Sequence, residues 1–295
     1  MSLQRFTIIQ TSDFNLYNRW LSSENIEPVC EQRASLGFNS PRIWTAYQIG
    51  LIGRLIPREH PGFYDRIPAF MEVLAGYGFY PEWTAFTGPY GAMFDTSHEM
   101  VHHWESLQDA LLGLTNLLDL ELVNEYDNPP NHGLPYDRLH RPVGLRSSHG
   151  SAVQDAAPKE PVWDVAGHRP GGNEWQRKVG HNAMADVADV YHIPSWCNET
   201  IRMPDNDSNP IHAFDAAAGA ALLCAGSCFH SPEGKNSTLW TGRSLQCAQA
   251  WANGARSVPL EFQAGAYFHP NDGEYLRRYG RRLPDGREYI VSIRY

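Results

Sequence analysis

The sequence predicts a closed (β/α)8 barrel carrying a short β extension at its C-terminal end. Three observations predict it. Short apolar or β-branched runs alternate with longer helical patterns, eight such runs can be counted, and neither a repeat nor a linker interrupts them. A chain of 295 residues is long enough for one large α/β domain or two average ones. Eight strands fit a closed barrel better than a six-stranded open sheet.

The elements follow in order. Residues 6–10 form the first strand, and residues 26–36 a helix closed by Gly37. Residues 39–45 form the second strand, followed by a helix over 63–75 closed by Gly76. The third strand spans 78–86, and Asp95, Thr96 or Ser97 caps the helix that runs to Leu112. Strands four to seven are expected at 118–124, 144–153, 162–166 and 193–198, with a helix over 173–190. The apolar segment 213–229 reads as a helix running into strand eight. The barrel is thus expected over residues 1–262. Residues 263–295 leave the rhythm, and the alternation of residues 290–293 marks them as a β extension, the start of an appended module in one reading.

Composition narrows the function classes. A net charge of −9 argues against binding a phosphate backbone, which needs clustered Lys and Arg. The five arginines between residues 277 and 287 sit between turn signals and read as a solvated hairpin face. No run is long and apolar enough for a membrane span. Residues 1–10 show no export signal, so the protein is expected to stay where it is made, to be released by lysis, or to have had its signal removed. The five cysteines have no CxxC spacing and read as buried thiols. Of the nine tryptophans and fourteen tyrosines some belong to the core, the usual fate of aromatics; flat platforms for sugar rings are the functional alternative.

Chemistry in a barrel sits at the C-terminal strand ends, where the βα loops gather. Two glutamates are expected there. Strand four ends in Asn124-Glu125 and strand seven in Asn198-Glu199, each followed by a polar loop. One such Glu alone would more often cap a helix or pair with an arginine. Two of them, three strands apart, can face each other across the axis, as the cleavage of a glycosidic bond requires.

With these residues in place the chain resembles the clan A retaining glycoside hydrolases, a group that includes the family five cellulases and mannanases. The resemblance spans roughly residues 6–240 and implies Glu125 as acid/base and Glu199 as nucleophile. The segment Leu36-Gly-Phe-Asn-Ser-Pro-Arg-Ile-Trp44 looks like the clan's second strand, which implies Arg42 as the brace of the nucleophile. Asn124 is placed to bind the sugar 2-hydroxyl, and His168 to orient Glu125 or to stand at the rim. Where strand eight of the clan presents a Trp, this chain offers Phe229 and His230, and after His168 it has Arg169-Pro170 in place of the usual Tyr. Trp83 on strand three completes the expected sugar contacts. The implied activity is retaining hydrolysis of β-linked glycans of the β-mannan or β-glucan class. The two carboxyls are then expected about 5 Å apart. An oligosaccharide or polysaccharide is the expected partner, and neither cofactor nor metal is called for.

Two other readings compete. His98-Glu99-Met-Val-His102 matches the HExxH pattern of zinc peptidases, with Glu121 or Glu125 as a third ligand. In a barrel that motif opens an outer-ring helix, and Trp104 and Leu107 continue its core-facing stripe. A non-catalytic carbohydrate-binding barrel is the other. Asn173-Glu174 is explained locally as a helix start. The N-x-S/T matches at Asn198, Asn206 and Asn236 are read as coincidence, and the 205–209 run as a solvated loop without calcium-site spacing.

Overall fold

The computed structural model describes residues 7–50, 52–88, 93–124, 133–135, 137–140, 147–148, 164–165, 196–202, 209–223, 226–258, 266–267, 276–282 and 288–294. Thirteen strands and seven α-helices are described. The strands are β1 (Ile8–Thr11), β2 (Ser40–Trp44), β3 (Tyr47–Ile49), β4 (Gly53–Leu55), β5 (Glu82–Phe86), β6 (Asp119–Val123) and β7 (Ser147–Ser148). They continue with β8 (Asp164–Val165), β9 (Trp196–Arg202), β10 (Gly226–His230), β11 (Ala266–Tyr267), β12 (Leu276–Arg282) and β13 (Glu288–Arg294). The helices are α1 (Leu16–Leu21), α2 (Glu27–Leu36), α3 (Ile67–Gly76), α4 (Ser97–Leu111), α5 (Pro210–Leu223), α6 (Pro232–Lys235) and α7 (Gly242–Ser257).

Eight strands join in one sheet in the order β7-β6-β5-β2-β1-β10-β9-β8, with every ladder parallel. Counted along the chain, this is 5-4-3-2-1-8-7-6, the circular order of a (β/α)8 barrel cut between its fifth and sixth strands. The expected barrel is therefore the fold, and the fourth and seventh strands are β6 and β9. Residues 288–294 pair with β12 in a separate three-stranded antiparallel sheet.

Local chemistry sets most boundaries. Gly37 closes α2 in the left-handed conformation at φ 89°, as a C-terminal glycine does. Of the three cap candidates, the Thr96 side chain accepts from the Glu99 N–H at 3.2 Å and starts α4. Helix α3 begins later than expected, at Ile67. Residues 57–59 form a 3-10 turn, and Pro68 suits the first helical turn, where its missing N–H costs nothing. Strand β5 begins only after Pro81, which cannot donate to a ladder. Helix α1, the β3–β4 hairpin and helix α7 were not expected. The predicted helix over 173–190 lies outside the described residues.

Two apolar layers wrap the sheet's outer face. Trp83, Phe70, Met71, Tyr17 and Trp104 belong to one; Phe229, Phe38, Trp240 and Trp251 to the other. Fully burying side chains of this size is worth roughly 1.5–3 kcal/mol each. Helices α5 and α7 approach backbone to backbone at Gly254, where an added Cβ would stand 2.2 Å from the Phe214 carbonyl oxygen.

A buried ion pair ties β1's loop to α2. Arg33 donates to both carboxylate oxygens of Asp13 at 3.2 and 3.3 Å and to the Thr238 carbonyl at 2.7 Å, and its guanidinium stacks on Trp240 at 3.4 Å. Both side chains are 1% exposed. Replacing one partner strands the other charge, so Arg33→Met is expected to cost about 3–5 kcal/mol in urea unfolding. The double variant Arg33→Met, Asp13→Asn should recover part of that loss; no recovery would exclude the stranded carboxylate as its cause.

Candidate active site

The lumen of a barrel is ordinarily filled by branched apolar side chains. Here a polar set stands in it: Gln10, Ser40, Arg42, Glu82, Thr84, Asp119 and Glu121 are all buried. The period-2 alternation of strands dictates this. In β5, Glu82 and Thr84 face inward while Trp83 and Ala85 face the helices, and in β6 Asp119 and Glu121 alternate with Leu120 and Leu122.

Arg42 organises the lumen. Its Nε lies 2.9 Å from Glu82, and one terminal nitrogen donates to Glu121 at 2.6 Å and to the Asn124 side-chain oxygen at 3.0 Å. The ladder places Arg42 level with Glu82, and Glu121 level with Thr84, one layer nearer the strand ends. The arginine thus climbs from the lower layer toward the mouth and ends on the residue that precedes Glu125. Gln10 donates to Glu82 at 2.5 Å from β1, and Thr84 donates to Glu121 at 2.5 Å. Burial pushes the Glu121 carboxyl up to about 7; Arg42 opposes the rise and the neighbouring Glu82 charge adds to it.

An aromatic layer lies above Arg42 at the ends of the first, second and eighth strands. Phe14 stacks on Trp44 with centroids 3.6 Å apart and planes at 7°, and the His230 ring lies 5.5 Å from Phe14. The Trp44 indole N–H is buried and has no hydrogen-bond partner among the described residues.

The predicted site residues separate into three groups. Arg42, Asn124 and His230 come together at the lumen and its mouth. Trp83 and Phe229 do not, and their assignment as sugar contacts is corrected. Trp83 points outward, fully buried, with its indole nitrogen 3.3 Å from the Met71 sulfur. Phe229 packs outward against Trp240 and Trp251, with centroids at 5.3 and 5.7 Å. Each neighbours an inward residue, so the alternation excludes it. Glu125 and His168 lie outside the described residues, and for Glu199 only the backbone is described. That backbone falls where β9 slips against β10: Cys197 pairs with Ser227 and Ile201 with Phe229, four residues against two. Such a bulge turns the strand's side chains locally. Not expected in this network were Glu82, Glu121 (weighed above as a zinc ligand alone), Phe14 and Trp44. The first two were visible as acids alternating with apolar residues within strands.

The HExxH segment serves another purpose. Glu99 accepts from the Asp95 N–H at 2.7 Å, closing the cap of α4, and pairs with Arg58 at 3.2 Å. His98 and His102 are exposed, and among the described residues no group of three potential metal ligands forms. Glu121 binds Arg42 within the lumen instead of joining them. The helix's other histidine, His103, is buried between Thr45, Ala85 and Tyr64, and burial drives its pKa down to about 3.

A pH dependence of stability follows. Glu121 titrates near 7 when folded against 4.5 unfolded, so its contribution is complete below pH 4.5 and is lost as the pH rises to about 7. His103 titrates near 3 against 6.5, so its contribution is complete above pH 6.5 and is lost as the pH falls toward 3. The two oppose each other between pH 4.5 and 6.5. In chemical unfolding across pH, Glu121→Gln is expected to remove the decline toward pH 7, and His103→Gln the decline below 6.5; unchanged slopes would contradict both assignments.

No protein-family profile and no curated protein matches the chain. Solved structures do. A putative glycoside hydrolase from Bacteroides vulgatus ATCC 8482 superposes over 95% of this chain with TM-score 0.61 at 13% identity. A GH5_18 protein from Streptomyces cattleya in complex with Manβ1-4GlcNAc superposes over 87%, with TM-score 0.59 at 14% identity and 82% of its own length covered. A glycoside hydrolase family 5 structure from Bacteroides vulgatus ATCC 8482 matches 77% of the chain at TM-score 0.54 and 12% identity. The chain spans 64% and 58% of the two Bacteroides structures. Its fold is that of the family 5 barrels.

Proposed function

We propose that the chain is a retaining glycoside hydrolase acting on β-linked glycans, with Glu125 as acid/base and Glu199 as nucleophile. The observation that carries this reading is the hydrogen bond from Arg42 of the second strand to Asn124, the residue directly before Glu125 at the end of the fourth. The sheet order adds that β6 and β9 are the fourth and seventh of its eight strands along the chain, as the reading requires. Likeness to structures described as family 5 glycoside hydrolases, one of them holding Manβ1-4GlcNAc, supports the substrate class.

The chemistry takes two steps. The Glu125 carboxyl gives its proton to the glycosidic oxygen while a Glu199 carboxylate oxygen bonds to the anomeric carbon, and the leaving sugar departs as an alcohol. Glu125, now ionised, takes a proton from water; the hydroxyl attacks the same carbon and releases Glu199. Asn124, held by the buried Arg42, meets the 2-hydroxyl side of the ring, and Trp44 with Phe14 and His230 lines its edge.

The test is a panel of β-mannans, β-glucans and their aryl glycosides, with the product's anomeric configuration followed by proton NMR. The β anomer is expected first, mutarotating later. First appearance of the α anomer would rule out double displacement. Binding without turnover would favour a carbohydrate-binding barrel.

A further inference from the structure

We infer that Glu121 is a positioning residue for recognition of the sugar's C2 substituent, acting through Arg42 on Asn124. The inference rests on the proposed glycosidase reading and deepens it. A guanidinium carries only donors, so the Asn124 atom that it holds at 3.0 Å must be the carbonyl oxygen. The amide is thereby fixed with its NH2 directed away from the arginine, and Asn124 offers a donor to the ligand. The nitrogen that holds Asn124 is the one Glu121 holds at 2.6 Å, whereas Glu82 takes Nε. Two carboxylates on adjacent strands thus anchor the guanidinium at two different nitrogens, and only the Glu121 contact shares the nitrogen bound to Asn124. Thr84 fixes Glu121 in turn by donating to the same carboxylate oxygen that Arg42 uses. The chain of contacts Thr84, Glu121, Arg42, Asn124 is fully buried until its last member.

The groups facing Glu121 are Arg42 from β2, Glu82 and Thr84 from β5, and Asp119 of its own strand β6. Arg42 is the one cation among them. Exchanging Glu121 for Gln removes the charge that orients the bridging nitrogen and brings an NH2 that competes with it for acceptors.

The experiment compares an aryl β-glycoside with its 2-deoxy analogue. In the wild type, loss of the 2-hydroxyl is expected to lower kcat/KM about 10- to 100-fold, the scale of a buried hydrogen bond. In Glu121→Gln that ratio should collapse toward one, and Asn124→Ala should collapse it equally, with no further change in the double variant. Glu82→Gln should keep the wild-type ratio, because its partner is Nε. A merely structural role would lower both substrates together and leave the ratio intact, which would overturn the inference. Should Glu121→Gln fail to fold, Thr84→Val removes the hydroxyl that holds the same carboxylate oxygen and should shrink the ratio severalfold; an unchanged ratio there overturns the inference too. If the wild type hydrolyses no glycoside, the glycosidase reading falls. The positioning claim is then decided by the Asn124 side-chain amide resonances, which Glu121→Gln should displace as Arg42→Lys does.

Discussion

Glu199→Ala is expected to lower kcat on an aryl β-glycoside by roughly 10^4-fold or more, the scale on which loss of a covalent nucleophile is felt. The reason is specific to double displacement. Without the carboxylate no glycosyl ester can form, whereas protonation of the leaving group and binding of the sugar remain. Substrate affinity should therefore change far less than turnover. Azide should restore activity by taking the vacated position, releasing a glycosyl azide of inverted configuration. Folding should persist, which circular dichroism and an unchanged unfolding midpoint would show. A variant that stays within tenfold of the wild type would exclude Glu199 as nucleophile, and rescue without an azide product would exclude a direct attack at the anomeric carbon.

Arg42→Met should damage both stability and turnover. Its side chain is fully buried between Glu82 and Glu121, themselves fully buried. A methionine fills the volume but leaves the two carboxyls side by side in a sealed lumen with their principal counter-ion gone. Breaking one partner out of such a buried pair costs about 3–5 kcal/mol. The cost should grow with pH, because Arg42 is the influence that pulls Glu121 down against burial and Glu82. Unfolding free energy measured at pH 5 and pH 8 should thus differ more in the variant than in the wild type. Turnover should fall as well, because Asn124 loses its holder. If Arg42→Met were as stable as the wild type at pH 8, the lumen carboxyls would have to be neutral there, and the electrostatic account of this barrel would fail.

Much of the barrel was legible because strand and helix periods are local. Runs such as residues 40–44 and 119–123 announce themselves by β-branched and apolar content, and Gly37 and Thr96 mark helix ends through backbone rules that need no neighbours. Asn124 was legible as a polar residue closing an apolar strand, and Arg42 through the resemblance of the segment around it to the clan's second strand. Failures have a common cause. Trp83 and Phe229 were picked for their rings, yet which face of a strand a ring occupies depends on register, and a shift of one residue would invert it. Glu82 was passed over and Glu121 weighed only as a metal ligand, because an acid within an apolar run looks misplaced until an arginine from another strand is seen beside it.

What the sequence determined by itself was the number and order of the eight barrel strands and the polar residue that closes the fourth. What only the tertiary structure decided was the inward and outward faces, and hence the joining of Gln10, Arg42, Glu82, Glu121 and Asn124 in one buried network. The physical reason is range. Strand and helix preferences are settled within a few residues, whereas a hydrogen bond between residues 42 and 121 exists only after the sheet has curled and brought their strands into reach.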